Sequence, residues 1–170
     1  MTTEATLLRT GERPILRFER HLPRAIDDVW RAVTDPVELR TWFPTRIEID
    51  EWKVGATFTH HFDDAPVDPL PGRVVACDPP HRLSFTWGED TIAFELTAAD
   101  DGGTTFVLTE ELGANHAARN AAGWEVCLDR LVNGGDGGDW QPRFERYVAE
   151  FEPTLGHQEG PPAEFTESHD

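Results

Sequence analysis

The 170-residue sequence predicts an α+β domain in which a curved antiparallel β-sheet wraps around a long C-terminal helix, with two short helices after the first strand. Three observations predict it. Between about residues 45 and 112, apolar and polar residues alternate in short runs separated by turns, which is the mark of an antiparallel meander. Over residues 115–132 the apolar period becomes helical. Two short helical patterns stand early, before the meander begins.

Residues 1–13 carry no clear period and are expected to be a flexible lead-in. Pro14 opens "ILRFERHL", where Leu16, Phe18 and Leu22 share one face and Arg17, Glu19 and His21 the other, so the run is a half-buried strand. In "RAIDDVWRAV", Ile26, Val29, Trp30 and Val33 fall at helical spacing. The next helix starts at "DPVE": Asp35 caps, Pro36 suits the first helical position, and Glu38 completes a capping box. Leu39, Trp42 and Phe43 share its inner face, and Pro44 stops it.

Six alternating runs follow: "TRIEID", "GATFTHHF", "RVVACD", "HRLSFTW", "DTIAFELTA" and "TTFVLTEEL". Phe58, His60 and Phe62 share a face in the second run, Leu83, Phe85 and Trp87 in the fourth, Ile92, Phe94 and Leu96 in the fifth, and Phe106 and Leu108 in the sixth. The predicted long helix, Asn115 to Val132, carries a stripe of Ala121, Trp124, Cys127 or Leu128, and Leu131. "NGGDGGD" breaks it, and "WQPRFERYVAEF" is a last helix. The tail, residues 153–170, is rich in Pro, Gly and acid and is expected to be disordered. The folded domain is therefore expected over residues 14–152.

Lys and Arg number 15 against 32 Asp and Glu, a formal net charge of −17. Such a surface repels phosphate backbones and anionic lipid, so neither nucleic acid nor membrane is an expected partner. No run reaches the ~18 apolar residues of a membrane span. The N-terminus lacks a basic-then-apolar signal design, so a cytoplasmic location is expected. Cys77 and Cys127 stand far apart and form no CxxC pattern, which argues against a zinc ribbon or a disulfide scaffold.

The order of elements, together with "VWRAVTDPVELRTWFP", "VGATFTHHF", "GRVVACDPPHRLSFTW" and "GWEVCLDRL", resembles the SRPBCC or START-like superfamily and its helix-grip fold. More narrowly, it resembles the branch of homologues of the heat-shock-protein-90 ATPase activator, over roughly residues 14–132 and onward to the last helix. The resemblance implies an apolar cavity between the curved sheet and the long helix, of the kind used for lipids, polyketides and other hydrophobic ligands.

Candidate ligand-binding residues follow from the inward faces. They are Trp42 and Phe43 near the mouth, Phe58, His60, Phe62, Trp87, Phe94 and Phe106 from the strands, and Trp124, Cys127 and Leu128 from the helix. Trp30 is expected to fix the helix pair under the sheet. The run "HHFDD" is not a metal site, because adjacent strand residues point to opposite faces. His60 either orients a ligand or is a satisfied core histidine. Catalytic strings such as GxSxG, HExxH or a Gly-rich phosphate loop are absent from the sequence, and no cofactor is expected. Cys127 lacks an activating partner, and Glu110 and Glu111 at a strand end are given no role.

Three functions remain. The leading one is a binding module for a hydrophobic or amphipathic small molecule. The second is a cyclase- or hydrolase-like enzyme on a hydrophobic substrate with His60 as acid or base. The third is a stress-related or co-chaperone protein-interaction module, for which the interior would be filled and the outer surface would work. The oligomeric state is open, with a homodimer among the options.

Overall fold

The computed structural model describes residues 5–161. Eight strands form one antiparallel sheet: β1 (Thr6–Arg9), β2 (Ile15–Leu22), β3 (Arg46–Glu48), β4 (Thr57–His61), β5 (Leu70–Asp78), β6 (Arg82–Trp87), β7 (Asp90–Ala98) and β8 (Thr104–Glu111). Their spatial order is β1-β2-β8-β7-β6-β5-β4-β3. Strands β3 to β8 thus form the expected meander. Helices α1 (Ile26–Thr34) and α2 (Pro36–Leu39) carry the chain from β2 across to the other edge. The long helix is α3 (Ala117–Asn133), entered through a short 3-10 turn at Ala114–His116, and α4 (Trp140–Leu155) follows it.

The period-two reading places the core. Leu16, Phe18 and Leu22 of β2, Ile92, Phe94 and Leu96 of β7, and Phe106 and Leu108 of β8 are all buried on the face that α3 covers. The same phase carries two charged residues inward, Arg20 on β2 and Glu110 on β8. Phe58 of β4 sits opposite Gly72 of β5, and a Cβ at Gly72 would meet the Phe58 ring at 2.5 Å, so only glycine lets that ring lie inward.

Asp35 caps α2 as expected, its carboxylate accepting from the N–H of Val37 (2.8 Å) and Glu38 (3.3 Å). The other half of the capping box is not made. The Asp35 N–H already donates to Arg31 O, and the Glu38 side chain pairs with Arg24 instead. The helix is also shorter than expected: it ends at Leu39, and turns lead on to Phe43.

Both chain ends correct the sequence reading. Thr6–Arg9, placed in the flexible lead-in, form β1 and pair with β2 through Thr6↔Arg17 and Leu7↔Leu16. The two short helices therefore follow the second strand. The Ala5 N–H donates to the Tyr147 hydroxyl at 2.8 Å, tying this edge to α4. In the tail, α4 runs to Leu155, and residues 156–160 fold back onto the start of α3 rather than leaving the domain. Expectations for residues 1–4 and 162–170 lie outside the described residues.

Candidate functional site

The turn after α2 delivers Trp42 and Phe43 onto the concave face. The Trp42 indole N–H donates to Ala32 O (2.9 Å), while its ring meets Phe94 (5.8 Å) and Phe106 (6.2 Å). Trp42 thereby pins the helix pair to the sheet. Phe43 is the hub. Its ring centroid lies between 5.7 and 6.4 Å from those of His60, Phe85, Trp87, Phe94 and Trp124. Four of these partners come from the sheet and Trp124 comes from α3. Rings in mutual contact occupy the space between sheet and helix at this point.

A cleft of about 140 Å3 reaches Phe43 from the surface. Arg40, Thr45, Arg46 and His61 are among its walls, with Asp63 and Asp64 at the rim. Arg46 is bound to Asp63 (2.9 Å) and Glu48 (2.9 Å), and it holds both carboxyls below the usual carboxylate range. Phe62 and Trp87, both half-buried, pair at 5.7 Å. A wider groove of about 590 Å3 runs along β3 and β4, with Pro36, Ile47, Ile49 and Phe58 among its lining residues.

His60 points inward as expected and is 0% exposed. Both ring nitrogens are engaged: Nε2 with Thr86 O at 3.1 Å and Nδ1 with the Thr45 hydroxyl at 3.0 Å. A carbonyl only accepts, so Nε2 carries the proton and Nδ1 accepts from Thr45. Burial lowers the His60 pKa to about 4, so the ring is neutral at neutral pH. His61 points the other way and meets Glu48 at 3.1 Å, which separates the two histidines as the strand geometry requires.

On α3, Trp124, Cys127 and Leu128 are all buried. Burial raises the Cys127 thiol to about 12, which leaves it protonated and unreactive at neutral pH.

A second polar centre lies across the sheet from His60, on β7 and β8, and the sequence reading gave it no role. Glu110 is only 2% exposed. Its Oε1 accepts the Trp124 indole N–H at 2.9 Å, and the Asn120 amide reaches both of its oxygens at 3.4 Å. Asp90, at the start of β7, stands two residues before Ile92, the register partner of Glu110, so the two carboxyls are diagonal neighbours on one face of adjacent strands and interact. On the solvent side, Arg13 donates to Asp90 Oδ1 at 3.3 Å. Burial, reinforced by the Asp90 charge, pushes Glu110 up to about 8. Asp90 is also raised, chiefly by burial. Sequence phase could have found this centre, because Glu110 continues the inward series of Phe106 and Leu108.

A profile of the family described as Activator of Hsp90 ATPase homolog 1-like protein matches residues 24–133. No curated protein matches the chain significantly. Among solved structures, the chain is similar to a conserved protein of unknown function, EF2215, from Enterococcus faecalis. That likeness has a TM-score of 0.77 at 21% identity and covers 88% of this chain and 91% of that one. CalU16 from Micromonospora echinospora gives 0.64 at 23% identity, covering 86% and 93%. The product of gene BPP1335 from Bordetella parapertussis gives 0.64 at 22% identity, covering 89% and 94%. At such identities the likeness is one of fold.

Proposed function

We infer, for a chain that belongs to the family of Activator of Hsp90 ATPase homolog 1-like proteins, that its work is to bind a hydrophobic or amphipathic small molecule between the sheet and α3. The observation that carries this reading is the position of Phe43. It separates the surface cleft from a cluster of rings drawn from both layers of the fold. A ligand entering by the cleft turns Phe43 aside and takes its place against Phe85, Trp87, Phe94 and Trp124. Rings and ligand then exchange contacts, and the gain is the ligand surface withdrawn from water, roughly 25 cal/mol per Å2. The association entropy, about 4 kcal/mol or more, is set against it. Phe58, Phe62 and Phe106 extend this lining on the sheet side, Trp42 joins it from the turn after α2, and Cys127 and Leu128 join it from α3.

The polar part of recognition falls to Thr45 rather than to His60. Thr45 lines the cleft, and His60 holds its hydroxyl in place. This favours a binding module over an enzyme using His60, since a base there would first have to give up the Thr45 bond at Nδ1 and an acid the Thr86 bond at Nε2. The test is native mass spectrometry of the protein purified from its own cells, paired with titration of the neutral apolar fluorophore N-phenyl-1-naphthylamine. A co-purified small molecule, or saturable one-to-one binding of the fluorophore, is the expected result. The absence of both overturns the reading.

The ring contacts that fill the space around Phe43 also favour a second reading, a protein-interaction module working through its outer surface. The groove along β3 and β4, beside the 75% exposed Val37, is its natural place. Val37→Asp would abolish partner capture there and leave fluorophore binding unchanged.

A further inference from the structure

Two acceptor groups within hydrogen-bonding reach, inside a fold, hold together only if a proton lies between them. We propose that the carboxyls of Asp90 and Glu110 share one proton, and that loss of this proton releases the N-terminal half of α3 from the sheet. The hydrogen bonds assign the proton to Glu110. Asp90 is the carboxylate that Arg13 supports from the solvent side, and Glu110 is the group enclosed by α3. The protonated Glu110 hydroxyl donates to Asp90, while its oxygens accept from Trp124 and Asn120. With the proton gone, two negative charges face each other and one of them is sealed from water. Relief requires water at Glu110, and α3 is the roof that excludes it.

That roof is thin and close. Ala117, Ala118, Ala121 and Ala122 are all 0% exposed, so the first two turns of α3 are seated through small side chains. An alanine methyl buries little apolar area, so each of these residues contributes less by burial than a larger side chain would. The hydrogen bonds from Trp124 and Asn120 to Glu110 add to the seating.

The charged groups around the pair come from every neighbouring element. Glu111, next on β8, points outward and pairs with Arg9 (2.7 Å) and Arg13 (3.5 Å). Arg13 is the cation on Asp90, and His116 from the 3-10 turn acts on it from further off. His116 is itself paired with Glu159 at 3.2 Å. Arg119 feels both carboxyls and donates to Gly160 O at 3.0 Å. Cations thus support Asp90 from outside, and the bonds α3 makes to the inner carboxyl are neutral ones. Opening of the interior to a ligand by this route would rest on the binding function inferred above. The release itself does not, and it is tested without a ligand.

The test follows the Trp124 indole N–H by 15N–1H correlation NMR from about pH 4 to 9.5, with the resonance assigned by its loss in Trp124→Phe. The same samples are read by amide hydrogen exchange of residues 117–125, corrected for intrinsic rate. The expected result is a titration of the indole signal with its midpoint above pH 7, and at least tenfold faster exchange of those amides above it. Glu110→Gln keeps an acceptor for Trp124 and a donor for Asp90, and it is expected to remove both changes. Asp90→Asn is expected to move the midpoint down. An indole signal that does not titrate, titrates alike in Glu110→Gln, or shows a midpoint in the ordinary carboxylate range overturns the shared proton. A titration without faster α3 exchange overturns the release.

Discussion

The two nitrogens of His60 set what that side chain can do. With Nε2–H on a carbonyl and Nδ1 on a hydroxyl, the neutral ring is the stable form. Long-range 15N–1H spectra should therefore show a single Nε2–H tautomer down to about pH 5, with protonation near about 4. Phe43 makes a different prediction. Phe43→Leu leaves room beside Trp87 and Trp124, so fluorophore binding should tighten several-fold, while urea unfolding should report a loss of about 1–3 kcal/mol. The inward residues of the strands were legible because alternation places them one by one. Glu110 was in phase with them and still passed over. Its meaning comes from Asp90, brought alongside by strand pairing, and from α3, which no local pattern connects to β8.

The helix boundaries show where local chemistry suffices and where it does not. The Asp35 cap was readable from "DPVE", and Asp35→Ala should cost about 1 kcal/mol in urea unfolding. The cap of α3 was not readable. It comes from the tail: Gln158, 4% exposed, accepts the Ala118 N–H at 2.8 Å and donates to Ala114 O at 2.9 Å. A polar, Pro- and Gly-rich composition predicts disorder on average, but one buried side chain with three hydrogen bonds overrides the average. Gln158→Ala should cost about 1 kcal/mol and speed exchange of the Ala118 amide selectively. Strand β1 was missed for another reason. Four residues are too few to display a period, and its edge position is fixed by pairing with the next strand, β2, and by Tyr147, which is distant in sequence.

For the whole molecule, two of the perturbed interior groups, Glu110 and His60, oppose each other across the pH scale. The folded Glu110 pKa lies above its ordinary 4.5, so its contribution is complete below 4.5 and is lost as pH rises to about 8. The folded His60 pKa lies below 6.5, so its contribution is complete above 6.5 and is lost as pH falls to about 4. Where the ramps overlap, between 4.5 and 6.5, they cancel. Above 6.5 only the Glu110 ramp is left. Urea unfolding should then show the wild type losing about 2 kcal/mol between about pH 6.5 and 8, and Glu110→Gln staying level.

The strand order has a consequence for how the chain reaches this state. Ile15 of β2 lies beside Glu111 of β8, so the edge made first waits for the last strand synthesised. While β3 to β7 close hairpin by hairpin at the ribosome, the edge of β2 that β8 will pair stays open, because its partner does not yet exist. Completion of the sheet is a late event, dominated by contacts distant in sequence. Until then a newly made chain depends on its strong negative charge to stay apart from its neighbours.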